Sequence, residues 1–183
     1  IMENYKYSIA VSGTHGKTTT TSMLSYILID ADTDPTISVG GILDSIGGNI
    51  RVGKSEYFVT EACEYTNSYH AFKPFISIIL NVDADHLDFF KDIDEIAESF
   101  HVFATKTPKE GLVIVNGDMK YYDTVVRDLE CRVVTFGKGA QNKYSAHNIR
   151  FDEFGHPTYT LVVDGQEVTD ITLKVFGEHN VYN

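Results

Sequence analysis

The chain contains no tryptophan, two cysteines and four prolines. It also lacks the uninterrupted apolar run of roughly 18 residues that a membrane helix requires, so no membrane partner is expected. Cys63 and Cys131 lie far apart, without metal-ligand spacing and too few for a disulfide scaffold. They read as reduced thiols of a cytoplasmic protein. The opening Ile1-Met2-Glu3-Asn4-Tyr5-Lys6 has no apolar core of the kind a signal peptide carries. Positive charge is scarce as well: 15 Lys and Arg stand against 26 Asp and Glu, for a net charge of −11. That deficit argues against a nucleic-acid partner, because neutralising a phosphate backbone takes clustered Lys and Arg. It leaves room for a single nucleotide, which a few backbone N–H groups, one lysine and a divalent cation can hold inside an acidic surface.

What is present is a patterned succession of short β-prone runs and helices. Tyr7–Val11, Thr36–Val39, Tyr57–Thr60, Phe75–Leu80, Leu112–Val115 and Arg132–Phe136 read as buried strands. A helix is expected after Gly16, with Met23, Leu24, Ile27 and Leu28 on one face. A second is expected over Ile93 to Ala104, where Ile93, Ile96, Ala97, Phe100 and Phe103 keep helical spacing, and a third from Met119 to about Leu129. Strands alternating with helices imply an α/β fold, a mostly parallel sheet covered on both faces. After Ser145 the pattern turns to three β-prone runs, Asn148–Phe151, Thr158–Val163 and Glu167–Leu173, with Asp164-Gly165 between the last two as a hairpin signal. These predict a small appended antiparallel sheet. The final Gly177-Glu178-His179-Asn180-Val181-Tyr182-Asn183 reads as a helix beginning, so the chain is expected to be part of something longer.

Four segments carry the chemistry. In "VSGTHGKTTT", Gly13, Thr14, His15, Gly16, Lys17, Thr18 and Thr19 join a strand to a helix start. Backbone N–H groups and the positive helix end would converge there on an anion, with Lys17 reaching the β- and γ-phosphates and Thr18 helping to hold Mg²⁺. The usual phosphate loop has a further glycine at the position of Val11, so a polar turn before a helix is the competing reading. Glu61, in "EACEY" at a strand's carboxyl end, is placed to hold a cation or to be a solvated loop acid. His86, within "NVDADHLD" just after another strand, is a metal ligand or a ring held by a carboxylate, although imidazole matches Mg²⁺ poorly. In "GEHNVYN", His179, Asn180 and Asn183 are placed to stack on and bond a base, or His179 and Asn180 simply cap the helix.

Taken in order, "GTHGKTTTT", "EACEY", "NVDADHLD" and "GEHNVYN" resemble the motifs of the Mur ligase family, ATP-dependent amide-bond ligases of peptidoglycan synthesis, across essentially the whole chain. In that family the loop lacks the earlier glycine. The resemblance implies the central ATPase domain of a three-domain enzyme, with residues 1–183 forming that domain and the sugar-holding and amino-acid-holding domains outside this chain. It implies ATP and Mg²⁺ as cofactors, and UDP-N-acetylmuramate and L-alanine as partners of the full-length enzyme. Lys17, Glu61 and His86 take the catalytic positions, Thr18, Glu61 and His86 the metal sites, and His179, Asn180 and Asn183 the adenine-binding motif. The segment Val39 to Ile42 resembles a glycine-containing stretch near the nucleotide-sugar. Two departures stand out: Cys63 replaces a common Asp, and on the helix after the His motif, where sister ligases carry a modified lysine, the chain reads Phe100-His101-Val102-Phe103 with no lysine until Lys106, which favours alanine addition over later steps. A tripeptide-recycling ligase and a non-catalytic nucleotide-binding module are the alternatives.

Overall fold

A computed structural model describes residues 1–183. Ten strands form one sheet: β1 (Tyr7–Ser12), β2 (Thr36–Leu43), β3 (Gly48–Arg51), β4 (Tyr57–Glu61), β5 (Ile76–Ile79), β6 (Leu112–Asn116), β7 (Arg132–Phe136), β8 (Tyr144–Phe151), β9 (Pro157–Val163) and β10 (Gln166–Thr172). Three α-helices accompany them: α1 (Lys17–Asp30), α2 (Ile93–Ala104) and α3 (Tyr122–Val126). The strand order is β10-β9-β8-β7-β6-β5-β1-β4-β2-β3. From β2 through β4, β1, β5, β6 and β7 every pairing is parallel. The chain first fills one side of β1, with β4 returning to insert between β1 and β2, and then, from β5 onward, builds outward on the other. The β1/β5 boundary is therefore a topological switch point, where the loops at the carboxyl ends of the strands diverge and leave a crevice.

The late antiparallel strands extend this same sheet. β8 continues from β7 through the single pair Phe136↔Tyr144, and β9 and β10 add on antiparallel. The opposite edge carries a strand the sequence pattern did not announce, the short antiparallel β3. It sits among glycines and exposed residues, and gives no alternating hydrophobic signal.

On one face, α2 packs its apolar side onto β1, β5 and β6. Phe100 and Phe103 are fully buried with Ala10, Ile79, Val113 and Val115. Asp92 caps α2 by accepting from the Glu95 N–H, and Asp94 and Glu95 favour the positive helix end. The third helix is shorter than its periodicity suggested, a five-residue turn of helix centred on buried Val125. On the other face α1 covers the sheet around β1, β4 and β2, but with an unexpected side. Thr21 and Ser25 are the fully buried residues, while Met23, Leu24 and Ile27 point away from that contact. Small hydroxyl side chains let the helix approach the sheet closely, and Ser25 Oγ bonds the Thr21 carbonyl at 2.7 Å. With only one helix on this face, cover is incomplete: Met23, Leu24, Ile78, Ile114 and Val134 line an apolar groove of about 620 Å³.

Phe100 has no exposed surface and stacks within an aromatic set that includes an edge contact to Tyr69 at 5.7 Å. Truncating it leaves a cavity in the larger of the two hydrophobic clusters. Phe100→Ala is expected to lower unfolding free energy by about 3–5 kcal/mol, measured by denaturant titration.

Candidate active site at the switch point

The loop after β1 runs from Gly13 to Gly16 at the switch point, and its conformation depends on two glycines. Gly13 has φ 143° and backs onto Leu80, where a Cβ would come within 2.9 Å of the leucine Cβ. Gly16 has φ 87° and precedes α1; a side chain there would collide with the Asn183 carboxamide. No acidic residue lies in the first turn of α1, so the positive helix end is left to whatever binds in front of it.

The loop is fastened to the segment that follows β5. The His15 N–H donates to Asn81 Oδ1 at 2.8 Å, and Asn81 Nδ2 donates to the His15 carbonyl at 2.9 Å. The Thr14 N–H bonds the Asn81 carbonyl at 3.2 Å, and the Asp83 N–H donates to Thr14 Oγ1 at 2.9 Å. Asn81 was visible only as the first letter of a motif; its two-way clamp needs a fixed sheet register to appear.

Two glutamates approach from the end of β4. Glu61 Oε2 accepts from the Thr18 hydroxyl at 3.1 Å, and Oε1 accepts from the Gly40 N–H at 2.6 Å. Gly40 belongs to the Val39–Ile42 segment, and a Cβ there would meet the Glu61 carboxylate at 2.9 Å. Glu64, three residues on, was not singled out from sequence, yet its side chain is only 2% exposed. It meets the Lys17 ammonium at 3.0 and 3.2 Å and stands 3.7 Å from His86 Nε2. Cys63 between them is exposed, and neither cysteine is paired.

His86 lies in the left-handed region at φ 52°, a strained position for a non-glycine residue and one that tends to accompany function. Its ring lies 4.8 Å from that of Tyr65, whose hydroxyl donates to Asp88 at 3.0 Å. The sequence motifs thus converge, with one regrouping. Lys17, Thr18, Glu61 and His86 surround one loop, but His86 faces Glu64, while Glu61 faces Thr18.

The terminal segment is a 3₁₀ turn, Glu178–Val181, and Asn183 lies just past it. His179 and Asn183 therefore do not sit on one turn-spaced α-helical face. Asn180 is buried and donates to the Phe176 carbonyl at 2.7 Å, and Asn183 donates to Asn180 Oδ1 at 2.9 Å. His15, Gly16 and Thr19 form one side of a cleft of about 660 Å³; His179 and Asn183 close it. The far wall, unannounced in the sequence, is Asp118 with the loop after β7. The Asp118 carboxylate accepts from the N–H groups of Lys138 and Gly139, from Gln141 Nε2 at 2.7 Å and from Asn142 Nδ2 at 2.9 Å. Partial burial pushes its pKa up, but these donors outweigh burial and hold it below the usual carboxylate value. Lys138 ties the wall to the terminal turn, 2.7 Å from Glu178 and 5.0 Å over the Tyr182 ring.

A Mur ligase middle-domain model matches residues 11–183. The chain belongs to the Mur ligase family. A UDP-N-acetylmuramate–L-alanine ligase of Lachnospira eligens is 57% identical over 184 residues, which is all of this chain and 40% of that protein. Among solved structures, a UDP-N-acetylmuramate:L-alanyl-γ-D-glutamyl-meso-diaminopimelate ligase from Neisseria meningitides aligns at TM-score 0.87 and 26% identity over all of this chain and 59% of its own. A UDP-N-acetylmuramate–alanine ligase from Thermotoga maritima aligns at TM-score 0.83 and 28% identity, covering 98% of this chain and 40% of its own. The chain spans about 40% of the length of the curated relatives it matches. As a Mur ligase domain it has no helix long and apolar enough to cross a membrane.

The donor set suits a hard cation that keeps most of its own ligands. No three His, Cys, Asp or Glu side chains are gathered closely enough to hold an ion alone. Mg²⁺ asks for one or two protein oxygens and fills the rest with phosphate oxygens and water. The Thr18 hydroxyl and Glu61 carboxylate, in mutual contact, fit that requirement.

Asp118 gives this Mur ligase domain a pH signature. A carboxylate depressed in the folded state stabilises fully above its unfolded value, about pH 4, and the contribution drains away as pH falls through the lower folded value. Asp118→Asn is expected to flatten the acid side of the stability profile, followed by urea titration at successive pH values. Gly16→Ala is expected to destabilise by about 1–3 kcal/mol through its positive φ, again read by denaturant titration.

Proposed function

We propose that this chain is the ATP-binding, phosphoryl-transferring domain of a cytoplasmic ligase that joins L-alanine to UDP-N-acetylmuramate, with ATP cleaved to ADP and phosphate. The observation that carries the reading is the convergence of Lys17, Thr18 and Glu61 on a glycine-shaped loop in front of an uncapped helix start. The identity of the Lachnospira eligens relative supports the choice of substrates. The 660 Å³ cleft beside the loop is large enough for a nucleoside, with Gly16 at its phosphate end and His179 and Asn183 against the base.

The chemistry follows from what a carboxylate lacks. It is a poor electrophile, so one carboxylate oxygen of the UDP-sugar attacks the γ-phosphorus of ATP; the P–O bond to ADP breaks and an acyl phosphate forms. The amine of L-alanine then attacks the acyl carbon, phosphate departs with the C–O bonding pair, and the amine gives up a proton. Lys17 and the N–H groups of the loop and first helical turn stabilise charge spreading onto the transferred phosphoryl oxygens. Thr18 and Glu61 would hold Mg²⁺, which supplies charge neutralisation and alignment of the phosphates. Glu61 is itself steadied by the Gly40 N–H, which keeps the carboxylate aimed at Thr18. This chain carries the phosphoryl site, and bringing in the two other substrates is left to the remaining part of the enzyme.

A tripeptide-recycling ligase is the second reading, favoured by the backbone match to the Neisseria meningitides enzyme. Assay of the complete protein separates the two. L-Alanine-dependent phosphate release is expected, and release with the murein tripeptide but not with L-alanine would assign the recycling reaction. Lys17→Ala is expected to lower kcat at least 100-fold, by analogy with loss of one oxyanion donor, measured as phosphate release; turnover within a few-fold of wild type would remove Lys17 from the reaction. Residues 1–183 alone are expected to give no ligation product, because the proximity of acceptor and amine is lost. Chromatographic detection of product would contradict this.

A further inference from the structure

Lys17 is fully engaged before any nucleotide arrives. An ammonium has three N–H donors, and the Lys17 Nζ already has the Gly13 carbonyl at 2.6 Å, the Thr14 carbonyl at 3.2 Å and the Glu64 carboxylate at 3.0 and 3.2 Å. A phosphate oxygen can gain Lys17 only by displacing one of these. Two are backbone groups of the loop itself, which is held in place by Asn81 and Asp83. The third is a side chain, and a buried one, so losing its cation would leave an unpaired buried charge. Only one other cationic-capable group is within reach, His86 at 3.7 Å on the same Oε1 atom that faces Lys17 at 3.2 Å.

We propose that Glu64 is a positioning residue that competes with nucleotide phosphates for Lys17 and links Lys17 to His86. It rests on the phosphate-loop reading above and extends it. In the free protein Glu64 draws the ammonium back against the loop carbonyls. When a polyphosphate takes Lys17, Glu64 shifts toward His86, so occupation of the phosphate site is passed to the residue on the neighbouring strand tip. Competition lowers nucleotide affinity, and the released carboxylate then holds the His86 ring in place for phosphoryl transfer.

The test is ADP binding to the complete protein by calorimetry in Mg²⁺-free buffer, beside steady-state kinetics. Glu64→Gln keeps size and shape and removes the charge. It is expected to tighten ADP binding about tenfold, or about 1.4 kcal/mol, while lowering kcat. In a Lys17→Met background the same change is expected to leave ADP affinity unaltered. Glu64→Asp keeps the charge but withdraws it by one methylene, and is expected to tighten ADP about threefold, a shift of about half a decade; it provides the readout where Glu64→Gln does not fold. Unchanged or weaker ADP binding in folded Glu64 variants overturns the proposal, as does an effect that persists without Lys17. If Lys17→Met alone leaves ADP binding intact, the phosphate-loop reading fails instead.

Discussion

The clamp between the first loop and the end of β5 is the constraint on which the rest of the site depends. Asn81 pairs with the His15 N–H and carbonyl as a second strand would, and Asp83 closes onto Thr14. A glycine-containing loop otherwise has many backbone states, and ordering it costs about 1–2 kcal/mol per residue. Here that ordering is done by folding, because β1 and β5 are paired in register from Ile9↔Ile76 to Ser12↔Ile79. The clamp leaves the N–H groups of the first helical turn facing outward and brings the carboxyl ends of β4 and β5 to the same side of Lys17.

Around that loop the acids divide their work. Glu61 is tied to Thr18 and Gly40, a pairing of oxygen donors suited to a hard cation, while Glu64 is buried against Lys17 and within reach of His86. Three residues of separation across the end of β4 put one carboxylate at the surface of the site and the other beneath it. The strongly acidic chain is thereby consistent with an anionic ligand: the acids nearest the loop are engaged by a hydroxyl, backbone N–H groups or the lysine.

Much of this architecture was legible in the sequence, for physical reasons that differ by element. Buried parallel strands such as Ile76–Ile79 and Leu112–Asn116 are apolar on both faces and bounded by turn residues, so they stand out. The amphipathic α2 was equally plain. The loop residues Gly13 to Thr19 were readable because strand, glycine and helix start are contiguous. β3 was not, because it is only four residues long, opens on a glycine and leaves Asn49 and Ile50 exposed, with no alternating apolar face. The side of α1 that packs on the sheet is not marked by its apolar residues, because close packing favours the small Thr21 and Ser25 over Met23 and Leu24. Glu64 and Asp118 escaped notice for a common reason: an acid's partners are set by tertiary placement. Lys17 lies 47 residues from Glu64, and Lys138 lies 20 from Asp118.

The central claim is that a nucleotide's phosphates bind the amide hydrogens at the start of α1. Backbone amide resonances of the complete protein, followed during addition of ADP, test it directly. The account predicts that the largest shifts fall on Gly16, Lys17 and Thr18, with smaller ones at His179 and Asn183. Saturating shifts confined to another part of the sheet, with those three amides unmoved, would contradict it.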